Sequence, residues 1–249
     1  MATITIIRNA RVVTPLVTGE AGAPLRGGAM GTLLVLPDAD VTLKDGVISA
    51  IKERTAESKP SSPVPAGTEI VEANGRVLMP GFVDCHTHAC WAGCRYDEWD
   101  LKRKGVPYLD ILKRGGGIMA TVRSVREASQ QNLTELLLAR LNLMLRCGTT
   151  TVEVKSGYGL STDHELKMLR AIDAAAKLWP GTVRMTALLG HAIDEARPGF
   201  VSDTVRHTLP AVAAEFPPSS GLAIDAFCEQ GAWSLEQCIS LLGCAHEMG

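Results

Sequence analysis

The sequence of 249 residues lacks several features that would assign it to a particular class of protein. No apolar run approaches the roughly 18–20 residues that a membrane-spanning helix needs. Neither sign of charge predominates, because 25 Lys and Arg stand against 27 Asp and Glu, so the charge balance indicates neither nucleic acid nor a membrane as a partner. Aromatic residues are only 4% of the chain, but 46% of its residues are hydrophobic, which is ordinary for a globular protein with a large core.

Paired cysteines and a leader segment are also missing from the pattern. The seven cysteines are odd in number and form no Cys-x-x-Cys pair, which in a chain of this size predicts reduced thiols. Residues 1–10 alternate apolar and polar side chains instead of presenting a charged segment followed by an apolar one. That alternation predicts a β-strand and not a signal peptide. We therefore expect a cytoplasmic protein.

The chain divides into two regions by its hydrophobic pattern. Residues 1–79 are rich in β-branched and aliphatic residues, which predicts a β domain, and Asp45-Gly46 predicts a tight turn between two of its strands. In residues 80–249, short apolar runs alternate with longer patterns of helical spacing. Such alternation predicts parallel βα units, and four of them would make half of an eight-unit barrel.

The expected elements of the second region are specific enough to be tested. The predicted strands lie at residues 81–86, 149–155, 182–190 and 222–228, and the predicted helices at residues 133–146, 162–178, 203–216 and 234–246. Two helices are expected to begin with capping boxes, formed by Thr162 with Glu165 and by Ser234 with Gln237.

The strongest chemical signal is a pair of histidines at the end of the first predicted barrel strand. His86 and His88 are two residues apart, so both imidazoles point to the same side of the strand. A bare His-x-His pair is more often two unrelated histidines. The preceding Pro-Gly-Phe-Val-Asp strand, ending where barrel enzymes place their reactive groups, favours two ligands of one divalent metal ion.

Six blocks after this motif narrow the interpretation to one family. With Pro80 to His88 they resemble the imidazolonepropionase family of the amidohydrolase superfamily, and the resemblance runs from about Ile4 to Gly249. The blocks are Trp91-Ala92-Gly93-Cys94-Arg95, Gly115-Gly116-Gly117-Ile118, Lys155-Ser156-Gly157-Tyr158-Gly159-Leu160, Glu165-Leu166-Lys167-Met168-Leu169-Arg170, Gly190-His191-Ala192 and Phe227-Cys228-Glu229.

The resemblance implies a fold, a reaction and a cofactor. The expected fold is α/β, with residues 80–249 forming the first half of a (β/α)8 TIM-type barrel and residues 1–79 contributing to a small N-terminal β-sandwich-type domain. The implied reaction is metal-dependent hydrolysis of the cyclic amide C–N bond of 4-imidazolone-5-propanoate, giving N-formimino-L-glutamate in histidine degradation. The resemblance also implies one divalent metal ion, zinc or iron, and a homodimer.

The resemblance assigns roles to three residues that the sequence alone leaves open. Arg95 would bind the propionate of the substrate, although most loop arginines are simply solvated. Tyr158, which glycines flank, would contact the substrate, although a tyrosine there is otherwise a packing residue. His191, at the end of the third predicted strand, would bind the substrate and act in catalysis, where a donor near the scissile carbonyl would stabilise developing charge. Lys155 is expected to line the pocket without binding metal.

The sequence departs from the family pattern in its metal ligands. No position matches the family's third metal-binding histidine or its metal-bound aspartate, and a catalytic zinc usually has three protein ligands. Three interpretations therefore stay open: a fragment of an active imidazolonepropionase, a catalytically dead half-barrel that acts as a binding or assembly partner, and an amidohydrolase of another cyclic amide. Met119 stands where relatives often have a histidine, which leaves one substrate contact unassigned.

Overall fold

A computed structural model of the chain describes residues 3–16, 24–55, 64, 66–107, 110–111 and 114–249. These residues divide into two compact units, Met1–Pro80 and Gly81–Gly249, each of which is described by itself. No helix in the described part of the chain is both long enough and apolar enough to cross a membrane.

The N-terminal unit is a single mixed sheet over its described residues. Its strands are β1 (Ile4–Pro15), β2 (Leu33–Lys44), β3 (Val47–Glu53), β4 (Glu69–Glu72) and β5 (Val77–Leu78). They lie in the order β3-β2-β1-β4, and β5 also pairs with β1. The hairpin strands are antiparallel to one another, whereas β4 and β5 run parallel to β1. A second sheet packed on this one is not seen among the described residues, so the expected β-sandwich is not confirmed.

The turn between β2 and β3 follows the sequence prediction. Asp45 and Gly46 have φ values of 52° and 79°, which place both residues in the left-handed region. Glycine adopts this conformation without strain and aspartate tolerates it, and turns of this kind match the twist of the strands that they join. The Asp-Gly signal therefore specifies this hairpin locally.

The second unit is an α/β structure built on four parallel strands. They are β6 (Phe82–Asp84), β7 (Thr149–Lys155), β8 (Thr182–Gly190) and β9 (Ala223–Ala226), in the spatial order β6-β7-β8-β9. All three neighbouring pairs are parallel. The predicted parallel half-barrel sheet is thus confirmed, although β6 and β9 are shorter than the sequence pattern indicates.

Helices cover this sheet and bury its core. They are α1 (Tyr96–Arg103), α2 (Ile118–Glu127), α3 (Gln130–Arg146), α4 (Thr162–Leu178), α5 (Phe200–Asp203), α6 (Leu209–Glu215) and α7 (Leu235–Glu247). Leu133, Leu137 and Leu141 repeat every four residues along α3 and are fully buried, as the helical spacing predicts. The helix expected at 203–216 begins earlier, at Phe200, and contains a π-helical segment between α5 and α6.

The two expected capping boxes have opposite outcomes. At the start of α7, Ser234 accepts a hydrogen bond from the Gln237 amide and the Gln237 side chain accepts one from the Ser234 amide, so this box is confirmed. The box at Thr162 is wrong, because the cap residue of α4 is Ser161 and the Thr162 hydroxyl bonds to Thr208. The Glu165 carboxylate turns instead toward the loop before the helix.

Candidate active site

The two metal-candidate histidines follow β6 and are fixed through the residue between them. The Thr87 amide donates to Glu153 Oε2 at 3.0 Å, and the Thr87 hydroxyl donates to the Glu153 carbonyl at 2.6 Å. The Lys155 amide in turn donates to the Thr87 carbonyl at 3.0 Å. Strand β7 therefore fixes the backbone of the segment that carries His86 and His88.

The geometry and charge of the pair suit metal binding but do not complete a site. The ring centroids of His86 and His88 lie 5.4 Å apart, and the buried His88 Nδ1 atom has no hydrogen-bond partner. Burial, followed by the neighbouring His191 and His86, lowers the pKa of His88 to about 4, so its ring is neutral, as a metal ligand must be. Among the described residues, no group of three His, Cys, Asp or Glu side chains is placed to hold an ion. The two histidines fit as part of a ligand set.

An ion cluster around the buried Lys155 supports this segment from the neighbouring strands. Lys155 Nζ lies 2.8 Å from Glu153 Oε1 and 2.7 Å from Asp225 Oδ2. Burial by itself lowers the pKa of Lys155, but the hydrogen bonds to these two carboxylates outweigh it and raise the pKa overall. Lys155 is therefore held as an ammonium ion that joins β7 to β9.

Tyr158 and His191 meet the second metal-candidate histidine. The His191 ring centroid lies 4.9 Å from that of His88 and 5.0 Å from that of Tyr158, and His88 and Tyr158 are 6.0 Å apart. Tyr158 belongs to the loop after β7, and His191 directly follows β8. The carboxyl ends of three neighbouring parallel strands thus bring together residues that are 103 positions apart in the sequence (191 − 88).

The tautomer of His191 follows from the hydrogen bond between its ring and the Gly157 carbonyl. Its Nδ1 atom lies 2.9 Å from the Gly157 carbonyl, which can only accept, so Nδ1 carries the proton. Burial lowers the pKa of His191 and favours the neutral ring, whose Nε2 is then an acceptor. The sequence predicts that His191 acts as a donor to a developing negative charge. With Nδ1 already protonated, that donation from Nε2 would require the His191 ring to be an imidazolium ion.

Arg95 lies at the same cavity as His88 and Tyr158. This cavity has a volume of about 310 Å³, and its lining also includes Trp91 and residues of α2. Arg95 Nε and Nη2 both donate to Glu98 Oε2, at 2.9 and 2.6 Å. These hydrogen bonds lower the pKa of the Glu98 carboxyl more than its partial burial raises it. The Arg95 guanidinium therefore lies at the cavity, in a position that its ion pair with Glu98 sets.

The cavity wall near Trp91 is fixed by a residue that sequence reasoning missed. The Arg140 guanidinium lies 3.6 Å from the Trp91 ring centroid and donates to the carbonyls of Ala89 and Trp91. Between them, Cys90 is fully buried, and burial raises the pKa of its thiol to about 12. A thiol in this state is a packing group.

The other missed residues are carboxylates. Glu98, Glu153 and Asp225 each contact a residue that the sequence singles out. Asp225 and Glu153 had one usable signal, since both lie on predicted barrel strands. Nothing in the spacing of Glu98 distinguishes it from a solvated residue on an amphipathic helix, and the spacing of Glu165 predicted a capping box instead of the loop contacts that it makes.

Solved structures of a deaminase and a chlorohydrolase resemble this chain in fold. Guanine deaminase from C. acetobutylicum superposes with a TM-score of 0.51 at 13% identity, over 99% of this chain and 51% of that chain. The atrazine chlorohydrolase TrzN from Arthrobacter aurescens, complexed with zinc, gives a TM-score of 0.53 at 17% identity, over 98% of this chain and 51% of that chain. At these identities the similarity shows the fold alone.

Curated sequences give a closer relationship, whereas no family model matches the chain. The chain is 43% identical to the imidazolonepropionase of Symbiobacterium thermophilum, over 92% of this chain and 54% of that protein. It is 46% identical to that of Haloarcula marismortui over 80% of this chain and 47% of the relative, and 38% identical to that of Deinococcus radiodurans over 95% and 56%. The chain is therefore a relative of the imidazolonepropionases, and it spans about half the length of the curated relatives it matches.

Proposed function

We propose that this chain forms the substrate-binding half of an imidazolonepropionase. The observation that carries the proposal is that His88, Arg95 and Tyr158 line the same cavity, in a chain 43% identical to an imidazolonepropionase. The reaction adds water across the ring amide of 4-imidazolone-5-propanoate. The C–N bond breaks, the carbonyl carbon gains the hydroxyl group and the nitrogen gains the proton, which gives N-formimino-L-glutamate.

His86 and His88 would supply two ligands of a divalent ion, zinc or iron. The orphaned Nδ1 atom of His88 and its neutral ring support this assignment. When bound, such an ion lowers the pKa of a coordinated water and polarises a carbonyl. The zinc in the TrzN structure supports a divalent metal in this fold. The remaining ligands would come from a polypeptide segment that the described residues do not include.

The other site residues would bind and orient the substrate. Arg95 lines the cavity with a positive charge. A guanidinium suits the propionate because its planar fork bonds a carboxylate at two points. Fixing that end of the molecule would hold the ring beside Tyr158 and His191. In the tautomer described above, His191 Nε2 would accept a hydrogen bond from a ring N–H.

Activity is tested by restoring the missing half. The chain is co-expressed with the part of the Symbiobacterium thermophilum relative that lies outside the match, and the copurified pair is assayed for bound metal and for hydrolysis of 4-imidazolone-5-propanoate. We expect a metal-containing pair that hydrolyses this substrate. A pair that contains metal but hydrolyses only other cyclic amides would favour a different amidohydrolase. A copurified pair without metal or turnover would favour the non-catalytic half-barrel.

Replacing Arg95 tests the substrate assignment separately. In Arg95→Lys the charge stays but the bidentate geometry is lost, so we expect the KM for 4-imidazolone-5-propanoate to rise about tenfold, equivalent to about 1.4 kcal/mol. The matched control is Arg170→Lys, since Arg170 makes a similar two-point contact with Glu215 on the surface. Equal KM values in wild type and Arg95→Lys would contradict the propionate-binding role.

A further inference from the structure

A buried carboxylate lies directly beneath the loop that carries Tyr158. Glu165 is in the first turn of α4, yet its exposed fraction is only 2%. Its Oε2 atom accepts the Gly157 amide at 2.9 Å, and its Oε1 atom accepts the amides of Gly159 and Leu160 at 2.7 and 2.9 Å. Three backbone donors therefore converge on one side chain, which is not among the residues that line the cavity.

The carbonyl groups of the same loop are held from the other side. Arg126 donates to the Gly159 carbonyl at 2.8 Å and to the Leu160 carbonyl at 3.2 Å, and Arg197 donates to the Leu160 carbonyl at 2.8 Å. Arg126 is itself paired with the buried carboxylate of Asp194 at 3.1 Å. The loop is thus fixed by charged side chains on both its donors and its acceptors.

The loop needs this support because its backbone is strained. Gly157 has a φ of 106° and Leu160 a φ of 49°, and a leucine rarely adopts the left-handed region. Space is also limited, since a Cβ at Gly157 would lie 2.8 Å from the Leu188 carbonyl oxygen. Glycine tolerates this region, so the strain lies at Leu160, where hydrogen bonds and not the preference of the residue impose the conformation.

Two site residues depend on this conformation. Tyr158 lies between the two glycines whose amides bind Glu165, and its ring contacts His88 and His191. The Gly157 carbonyl accepts the Nδ1 proton of His191, so the orientation of this loop decides which ring nitrogen of His191 is protonated. A rotation at Gly157 would move the tyrosine and remove the partner that fixes the tautomer.

We infer that Glu165 is a positioning residue, which holds Tyr158 and the Nδ1-protonated tautomer of His191 in place by binding the amides of Gly157, Gly159 and Leu160. The effect of Glu165 on catalysis rests on the proposed function, but its effect on the positions of Tyr158 and His191 does not. Burial raises the pKa of the Glu165 carboxyl, but the hydrogen bonds from the three amides favour its ionised form. The carboxylate suits these amides because both of its oxygens only accept. In Glu165→Gln one oxygen becomes an NH2 group, which places a donor against at least one backbone N–H.

The effect on His191 is measured by 15N NMR of the histidine rings, which distinguishes the two neutral tautomers. In wild type, we expect His191 to be a single Nδ1–H tautomer. In Glu165→Gln, we expect a mixture or the Nε2–H form. Glu135→Gln is the matched control, because Glu135 lies exposed on α3 and accepts from Gln131. An unchanged His191 tautomer in folded Glu165→Gln, or a wild-type ring protonated at Nε2, would overturn the inference.

A second measurement needs no variant and stays informative if Glu165→Gln does not fold. Amide hydrogen exchange in the wild type reports directly on the three donors. We expect the amides of Gly157, Gly159 and Leu160 to exchange more slowly than in an unstructured peptide, by a factor of about 100 or more, as buried hydrogen-bonded groups do. Exchange of all three at peptide rates would contradict the assignment.

Turnover then separates this inference from the proposed function. In the complemented pair, we expect Glu165→Gln to lower kcat/KM by about 100-fold, the scale of a small misplacement in an active site, with unchanged bound metal. Wild-type kcat/KM in this variant would overturn the positioning role. If the wild-type pair has no activity while the tautomer and exchange results hold, the proposed function fails and the positioning of Tyr158 and His191 stands.

Discussion

At the scale of single residues, the position of Arg95 depends on a neighbour three positions away. Glu98 Oε2 accepts from Arg95, and Glu98 Oε1 accepts the Gly117 amide at 3.0 Å. The same carboxylate therefore fixes the guanidinium and the start of α2, which lines the cavity. Substrate binding at Arg95 would occur on a cation that is already oriented.

The Arg95–Glu98 pair predicts a pH-dependent contribution to stability. The pKa of Glu98 is lower in the folded chain than in the unfolded chain, so the pair contributes fully above the unfolded pKa of about 4.3 and less as the pH falls through the folded pKa. The Arg95 side chain is 36% exposed, which limits the contribution to about 1 kcal/mol or less. We expect Glu98→Gln to destabilise the chain at neutral pH and to differ less from wild type in acid.

Urea unfolding followed by tryptophan fluorescence measures this difference. All four tryptophans, at positions 91, 99, 179 and 233, belong to the second unit, so the signal reports that unit alone. Glu135→Gln serves as the control for a surface carboxylate. A destabilisation by Glu98→Gln that is constant with pH, or that grows in acid, would contradict the ion-pair explanation.

The site residues also show what a local pattern can predict. His86 and His88 were identifiable because their spacing and their place at a strand end are local features, and the structure brings them together with Tyr158 and His191. The partners of the supporting carboxylates were not identifiable from the sequence. Asp225 binds Lys155 from 70 residues away, and only the alignment of three strands makes them neighbours.

At the scale of elements, close approach of β8 and β9 depends on a glycine. A Cβ on Gly190 would lie 2.7 Å from the Ala226 Cβ and 3.0 Å from its Cα. Gly190→Ala should therefore force the ends of these strands apart next to His191. We expect a loss of about 1–3 kcal/mol in the free energy of unfolding, the usual cost of overpacking.

Gly243→Ala is the matched control for that substitution. Gly243 lies within α7, and a Cβ there would meet no atom within 4 Å. Because alanine is the better helix former, we expect this variant to be unchanged or stabilised by up to about 1 kcal/mol. Both variants are measured by urea unfolding. Equal stabilities for the two alanine variants would show that β8 and β9 are not packed as closely as described.

Helix and strand positions were predictable to different degrees. The pattern at 162–178 matches α4 at both ends, because its apolar residues repeat at helical spacing over many turns. Its expected cap failed, since the Thr-x-x-Glu spacing does not specify where the glutamate points. The carboxylate turned toward the three amides of the preceding loop, and that choice depends on the tertiary fold.

At the scale of the whole molecule, the parallel sheet has an unpaired side at each of its two outer strands. Among the described residues, β6 pairs only with β7 and β9 only with β8. Val83, on β6, is 66% exposed, and exposed apolar edge strands promote association. We expect the isolated chain to self-associate as its concentration rises.

Sedimentation velocity of wild type and Val83→Lys tests this expectation. A lysine on β6 would place a charge at the edge, and we expect a shift toward the monomer. Leu178→Lys is the matched control, because Leu178 is similarly exposed, at 70%, but ends α4 away from the sheet edge. A monomeric wild type, or an equal effect of both substitutions, would contradict association through β6.

The sequence by itself determined the features that depend on near neighbours. The 2.0 and 3.6 periods specified strands and helices, Asp45-Gly46 specified a hairpin, and the strand-end spacing of His86 and His88 specified a paired imidazole site. These signals are local because each reflects the geometry of a few consecutive residues. They were sufficient to predict four parallel βα units.

Only the tertiary structure decided which groups hold that site together. Arg95 meets Glu98, Lys155 meets Asp225, and Glu165 captures the loop of Tyr158. Each contact depends on strand register, on the direction of a side chain or on the path of a loop, and no periodicity in the sequence encodes these. A buried charge must find its partner in space, and the folded arrangement of the strands fixes which partner that is.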